Sequence, residues 1–83
     1  MKIVYFAWLR ERVGLGEEEI SLPAGIDSVG RLMAWLRTRT PGHEAAFATG
    51  RVVRCAVNQN FATPDMAIAD GDEVAFFPPV TGG

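Results

Sequence analysis

The chain has 83 residues, of which 48% are hydrophobic and 22% charged, and its formal net charge is −2 at pH 7. This length holds one small domain, and the hydrophobic content is too high for an intrinsically disordered chain. Eight basic residues against ten acidic ones argue against nucleic acid as the main partner, because phosphate binding needs clustered Lys and Arg.

The first half of the chain predicts two strands followed by a helix. Residues 2–9 are rich in β-branched and aromatic residues and predict a strand, with its inward face formed by Ile3, Tyr5, Ala7 and Leu9. Gly14 and Gly16 predict a turn, and residues 17–22 predict an edge strand whose glutamates face water.

An amphipathic helix is predicted over residues 29–39, with Ser28 as its N-cap. Its apolar residues recur at helical spacing and are Val29, Leu32, Met33 and Leu36. Trp35 is expected to cover the edge of the core. The pair Pro41-Gly42 is expected to stop the helix, and residues 43–50 predict a loop or a short helical turn.

The second half predicts three more strands, over residues 51–58, 58–62 and 73–78, the last after a turn at Asp70-Gly71-Asp72. A sheet with one main amphipathic helix in this order is an α+β fold, the β-grasp of ubiquitin-like proteins. The first and last strands are the most apolar, so we expect them to pair in parallel at the centre. Residues 1–77 would form this domain and residues 78–83 an extended tail.

Side chains with reactive groups are few. Cys55 is the only cysteine, so no intrachain disulfide can form, and we expect it to be a small buried residue in a cytoplasmic protein. The N-terminal apolar run is too short for a signal or a membrane span. His43 has no partner ligands nearby in the sequence, so no metal site is predicted.

The most informative feature is the tail, because Gly82 and Gly83 directly follow an apolar strand and two prolines. A Gly-Gly tip can enter a narrow channel and carries a carboxylate, which suits a protein whose own carboxyl end reacts. The six residues from Pro78 span about 20 Å when extended, and Pro78 and Pro79 stiffen the base.

Three sets of residues resemble the small subunit of molybdopterin synthase, a ubiquitin-like sulfur carrier: residues 70–83, Phe6-Ala7 with Arg10-Glu11, and Ala56-Val57-Asn58-Gln59. The resemblance covers essentially the whole chain. It implies that a ubiquitin-activating-type adenylyltransferase adenylates the Gly83 carboxylate with ATP and Mg²⁺, and that a sulfur donor converts it to a thiocarboxylate. The carrier itself would bind no cofactor.

The resemblance also implies a partner, the large subunit of molybdopterin synthase, in an assembly of two large and two small subunits. The catalytic side chains would belong to the large subunit, where the Gly83 sulfur would pass to cyclic pyranopterin monophosphate to build the dithiolene. The tail residues expected to enter that subunit are Pro78, Pro79, Val80, Thr81 and Gly82.

Three aromatic residues on outward strand positions, Phe6, Phe61 and Phe77, are expected to form an apolar docking patch. They match the contact positions of the family, and Arg10 is expected to add a salt bridge to a partner. The alternative for each aromatic residue is a place in the core, and the alternative for Arg10 is a solvated surface.

Two other functions remain open at this point. A related sulfur carrier could serve thiamine synthesis or transfer-RNA thiolation, or become conjugated to proteins. A β-grasp module that only binds would keep its function after removal of Gly82 and Gly83.

Overall fold

The computed structural model describes residues 1–48 and 52–79. The elements of this part of the chain are β1 (Lys2–Tyr5), α1 (Ala7–Val13), β2 (Glu17–Glu19), α2 (Val29–Leu36), α3 (Pro41–Ala46), β3 (Arg54–Val57), β4 (Asn60–Ala62) and β5 (Glu73–Phe77). The strands form one mixed sheet in the order β2-β1-β5-β3-β4. The predicted α+β, ubiquitin-like β-grasp fold is confirmed.

The two most apolar strands lie at the centre of the sheet. β1 and β5 pair in parallel, with Ile3 opposite Val74 and Tyr5 opposite Phe76, and all four side chains are buried. β2 and β4 are the two edges. The predicted parallel pair is therefore confirmed, and it places the end of β5 in the middle of the sheet.

The helices cover one face of the sheet, here called the inner face. The predicted stripe of α2 forms part of the core, with Val29, Leu32 and Leu36 buried and Met33 packed against them. Ser28 caps the helix as predicted, since its Oγ accepts a hydrogen bond from the Arg31 N–H at 3.3 Å. The helix ends at Leu36, three residues before the predicted end.

The first strand is four residues shorter than predicted. β1 ends at Tyr5, and residues 7–13 form α1 instead of continuing the strand. Phe6 occupies the N-cap position with an extended backbone and no side-chain capping bond, so the usual sequence signal for a helix start is missing. Leu9 still reaches the core, but from the helix, whereas Ala7 is exposed.

The predicted stop at Pro41-Gly42 is wrong, because these residues begin α3. Thr40 is the N-cap, and its Oγ1 accepts a hydrogen bond from the His43 N–H at 3.1 Å. Proline suits the first helical position, where its missing N–H would have no helical partner. A Cβ at Gly42 would lie only 2.4 Å from the carbonyl oxygen of Arg12, so glycine permits α3 to pack closely on α1.

The remaining strands have the predicted order and shorter bounds. β3 and β4 are joined by Asn58 and Gln59, which have φ of 50° and 70°, as a type I′ hairpin turn requires. The Asn58 side chain donates to Asp72 Oδ1 and accepts from the Glu73 N–H, both at 3.0 Å. These bonds tie the hairpin to the start of β5.

The helices α1, α2 and α3 have seven, eight and six residues. No helix within the described ranges is both long and apolar enough to span a membrane.

Candidate functional site

The base of the tail leaves the sheet from its central strand. β5 ends at Phe77, and Pro78 and Pro79 follow it in half-buried positions. The residues expected to enter a partner beyond this point, Val80, Thr81 and Gly82, and the expected reacting residue Gly83 lie outside the described residues. The described part of the site is therefore the platform from which the tail starts.

Two of the three predicted aromatic residues meet on the outer face of the sheet, opposite the helices. Phe77 is the register partner of Arg54, and Phe61 is the partner of Ala56, which places both rings on the same face. Their ring centroids are 6.0 Å apart. Phe61 is 82% exposed, and Phe77 is half-buried. Neither ring is a core residue.

Phe6 lies at the same end of the sheet and is 50% exposed. It follows Tyr5, the partner of Phe76, and its N–H donates to the Phe76 carbonyl at 3.1 Å. Ala7 has a φ of 55°, a left-handed conformation that is uncommon for alanine. This conformation turns the chain from β1 into α1, so that Phe6 is the last extended residue beside the tail end of β5.

Arg10 is exposed on α1, four residues after Phe6. Its guanidinium lies over Gly16, where an added Cβ would be 3.2 Å from Nε. Among the residues that the structure describes, no carboxylate forms an ion pair with it. The solvated-surface alternative and the partner-contact prediction for Arg10 both remain open.

A groove of about 390 Å³ runs between the aromatic pair and the tail base. Its lining residues are Arg54, Cys55, Phe61, Ala62, Thr63, Phe77 and Pro79. Most of these side chains are apolar, and Arg54 supplies the only charge among them. We call the surface formed by Phe61, Phe77, Pro79 and Arg54 the docking face.

Cys55 lies on the inner side of this groove and is buried, as predicted. Burial raises the pKa of its thiol to about 11, so the thiol is protonated near neutral pH. A protonated thiol is a poor nucleophile. The structure therefore gives no support to Cys55 as a sulfur-transfer residue.

A partly buried polar cluster, which the sequence did not predict, joins β1, β2 and α3. His43 is only 3% exposed, not in a loop, and its Nε2 donates to Glu18 Oε2 at 2.8 Å. The Tyr5 hydroxyl donates to the same oxygen at 2.7 Å, and Arg39 pairs with Oε1. Thr40 Oγ1 is hydrogen bonded to His43 Nδ1 at 2.8 Å.

The charge state of the cluster follows from these contacts. Burial by itself would raise the pKa of Glu18, but hydrogen bonds from His43, Tyr5 and Arg39 outweigh it and the pKa is lowered. Burial, together with the bond to Glu18, holds the pKa of Tyr5 well above its usual range. Glu18 is thus an ionised, fully engaged carboxylate, not the solvated residue that the sequence predicted.

The one sequence feature that indicates this cluster is the alternation of side chains along β2. Glu17 and Glu19 share one face of β2, so Glu18 had to point toward the other face, where Tyr5 lies. The cluster packs against the core and is remote from the docking face. Its groups are bonded to one another, which fits a structural role.

Nothing in the described groove resembles a catalytic acid–base or nucleophile–base pair. Within residues 1–48 and 52–79, no three His, Cys, Asp or Glu side chains are close enough to hold a metal ion. Every buried polar side-chain atom in those ranges has a hydrogen-bond partner. The described groove is therefore a mostly apolar surface with one charged side chain, Arg54, beside the base of the tail.

Comparisons with known proteins agree with this description. The ThiS family model matches residues 3–83. The molybdopterin synthase sulfur carrier subunit of Escherichia coli (strain K12) is 39% identical over 83 residues, covering 100% of this chain and 99% of that protein. A solved chain from Pyrococcus furiosus, assigned as molybdopterin converting factor, subunit 1, has a TM-score of 0.76 at 36% identity, with 95% of each chain covered.

A second solved structure is the small archaeal modifier protein 1 of Haloferax volcanii. Its TM-score is 0.74 at 27% identity, covering 96% of this chain and 97% of that chain. The matches extend over nearly the full length of the chain in both sequence and structure, and they confirm the resemblance to the sulfur carrier subunits. The chain belongs to the ThiS family.

Proposed function

We propose that this chain is a sulfur carrier for molybdopterin synthesis and acts as the small subunit of molybdopterin synthase. The observation that carries the proposal is the 39% identity to the E. coli sulfur carrier subunit over all 83 residues. The geometry supports it, because the central strand delivers Pro78 and Pro79 beside the exposed docking face. A domain without catalytic groups in its described part is suited to presenting its own terminus.

The reacting group in this proposal is the carboxylate of Gly83. A carboxylate is a poor electrophile, because its charge and resonance resist attack. Adenylation by an activating enzyme, with ATP and Mg²⁺, joins the carboxylate to AMP and releases pyrophosphate. The sulfur of a persulfide donor then attacks the acyl carbon and AMP leaves. A thiol cleaves the resulting S–S bond, which frees the thiocarboxylate and forms a disulfide with the donor.

The second half of the proposal is delivery of sulfur to the large subunit. The tail residues Val80, Thr81 and Gly82 would enter its active site, and the thiocarboxylate sulfur would attack a carbon of cyclic pyranopterin monophosphate and displace an oxygen substituent from it. Hydrolysis of the acyl group then returns the Gly83 carboxylate. Because each dithiolene holds two sulfurs, two loaded carriers are consumed for each product.

The docking face would hold the folded domain against the large subunit while the tail reacts. Phe61 and Phe77 offer exposed apolar area at the tail base, and Phe6 lies at the same end of the sheet. Burying a large apolar side chain contributes about 1.5–3 kcal/mol. We assign Phe6, Phe61 and Phe77 to partner contact, with Arg10 on the rim.

The proposed setting is the cytoplasm, in an assembly of two large and two small subunits. Activation consumes ATP, and the sulfur steps require free thiols, which a reducing compartment supplies. The single, reduced Cys55 fits such a compartment.

The proposal is tested by rebuilding the reaction from purified parts. The chain is incubated with an activating enzyme, a sulfur donor, ATP–Mg²⁺, the large subunit and the pterin precursor, and molybdopterin is measured by mass spectrometry. We expect product with the native chain and none after deletion of Gly83, at unchanged thermal stability. Product formation by the shortened chain would contradict the proposal.

A second candidate function is favoured by the likeness to small archaeal modifier protein 1. The activated Gly83 could be joined to a lysine amine of another protein instead of to sulfur. Tryptic digests of cells that produce the chain would then contain lysines bearing residues 55–83 as a branch joined through Gly83, because Arg54 is the last trypsin site of the chain. If such branches are absent while the thiocarboxylate is present, the carrier function stands alone.

A further inference from the structure

Arg54 is placed at the point of the sheet where the tail begins. It is the cross-strand partner of Phe77 in the β3–β5 pair, and its exposed side chain lines the groove with Phe61 and Pro79. It therefore shares the docking face with both aromatic rings. A partner that covers those rings will also cover at least part of the arginine.

The charge of Arg54 is uncompensated in the described part of the protein. Arg31 pairs with Asp27 at 3.4 Å, and Arg39 pairs with Glu18. In contrast, Arg54 forms no ion pair and no side-chain hydrogen bond within residues 1–48 and 52–79. Nor does its guanidinium stack on Phe61 or Phe77, since the only cation–π contact of these ranges joins Arg39 and Trp35.

The charges on the outer face are also separated along the sheet. The acidic residues Glu19 and Glu73 are the register partners of Lys2, at the start of β1. Lys2 Nζ lies 3.8 Å from Glu73 Oε2. Arg54 lies at the other end, beside Phe77. Arg54 is thus the charge beside Phe77 on this face, and no carboxylate of the described residues forms an ion pair with it.

These observations restrict the surface that can cover the docking face. A purely apolar partner surface would strip water from the guanidinium without replacing its hydrogen bonds, which is strongly unfavourable. The neighbouring polar side chain in the groove, Thr63, already donates its hydroxyl to Asp65. Since residues 1–48 and 52–79 provide no acceptor for Arg54, a partner that covers this surface has to offer one.

We propose that Arg54 selects a partner surface that presents an Asp or Glu side chain beside the entrance of its tail-binding channel, flanked by aliphatic side chains that cover Phe61 and Phe77. The planar guanidinium can donate two parallel hydrogen bonds to one carboxylate. The inference rests on the proposed function, because the occupant of the face is the large subunit of the synthase. It adds the chemistry by which that subunit recognises this carrier.

The test measures the dissociation constant of the chain with the large subunit by calorimetry, at low and at moderate salt. Arg54→Met keeps the aliphatic stem and removes the charge, Arg54→Lys keeps the charge and removes the paired donors, and Arg54→Glu reverses the charge. Arg31→Met is the matched control, since it removes one positive charge from α2 on the opposite face. Thermal unfolding of each variant verifies that it folds.

We expect binding to weaken about tenfold for Arg54→Met and about a hundredfold for Arg54→Glu, with Arg54→Lys between the native chain and Arg54→Met. The salt dependence of binding should flatten in Arg54→Met, and Arg31→Met should bind as the native chain does. Replacing one acidic residue of the large subunit by Arg should restore binding to Arg54→Glu.

The contrary results separate the two proposals. If Arg54→Met binds as tightly as the native chain and with the same salt dependence, the role of Arg54 is overturned and the proposed function stands. If none of the acid-to-Arg replacements in the large subunit restores binding to Arg54→Glu, the carboxylate partner is overturned. Absence of any binding by the native chain overturns the proposed function together with this inference.

Discussion

The imidazole of the buried His43 and the carboxylate of the partly buried Glu18 meet at 2.8 Å, where they join α3 to the edge strand β2. Both residues come from segments that the sequence places on the surface. Glu18 is a shared acceptor for His43, Tyr5 and Arg39. This cluster makes the stability of the carrier sensitive to acid, which gives the first prediction.

Replacing Glu18 by Gln should lower the free energy of unfolding at pH 7 by about 1–2 kcal/mol, because charge-assisted hydrogen bonds to a partly buried carboxylate are lost. The pKa of Glu18 is lowered in the folded state. Its contribution is therefore complete above the unfolded pKa of about 4.3 and disappears as the pH falls through the lower, folded value. Urea unfolding between pH 7 and pH 3 measures this effect.

The matched control for that experiment is Glu17→Gln, an exposed neighbour that contacts Lys2 at 3.3 Å. Its effect should stay within about 0.5 kcal/mol. The difference between native chain and Glu18→Gln should shrink as the solution is acidified. A constant difference at every pH would contradict the role given to the cluster.

Gly42→Ala should destabilise the fold by about 1–3 kcal/mol, the usual cost of overpacking. The added Cβ would lie 2.4 Å from the carbonyl oxygen of Arg12, a backbone atom that cannot rotate away. Gly71→Ala is the control, because nothing lies within 4 Å of a Cβ there. Equal melting temperatures for the two variants would show that α1 and α3 pack less tightly than described.

Phe61→Ala should leave folding almost unchanged and weaken binding of the large subunit about tenfold or more. The ring is 82% exposed, so its loss removes partner contact and little core. Leu15→Ala, at another exposed apolar residue, should change neither quantity. If Phe61→Ala binds as tightly as the native chain, the outer face is not the docking surface.

Cys55→Ala should still accept sulfur at its terminus. The thiol is buried with its pKa raised to about 11, and the proposal gives it no step. A stability loss of about 1 kcal/mol is expected from the small cavity. A variant that folds but no longer becomes a thiocarboxylate in the presence of the activating enzyme and donor would implicate the cysteine.

The parts of the fold that were predictable have a strong local pattern. The α2 stripe, the Ser28 cap and the two central strands follow from spacing and residue type. The switch from β1 to α1 could not be predicted, because Phe6 gives no side-chain cap and the apolar run continues through Leu9. The left-handed backbone of Ala7 makes the turn into α1, and Leu9 is buried from that helix.

In the site too, the features set by local sequence pattern were predictable and those set by distant contacts were not. The outward placement of Phe61 and Phe77 follows from strand alternation, and Phe61 is the more exposed because it lies on the edge strand β4. The polar cluster did not follow, because it depends on a contact between His43 and a residue 25 positions earlier. Pro41 suits a helix start as well as a helix stop, and Thr40 before it is the N-cap of α3.

The most direct test of the account is the intact mass of the chain after incubation with an activating enzyme, a sulfur donor and ATP–Mg²⁺. We expect a gain equal to the replacement of one oxygen by sulfur, located by fragmentation at Gly83 and lost again when the large subunit turns over the pterin precursor. An unchanged mass, or added sulfur found on Cys55 instead of the terminal carboxyl, would contradict it.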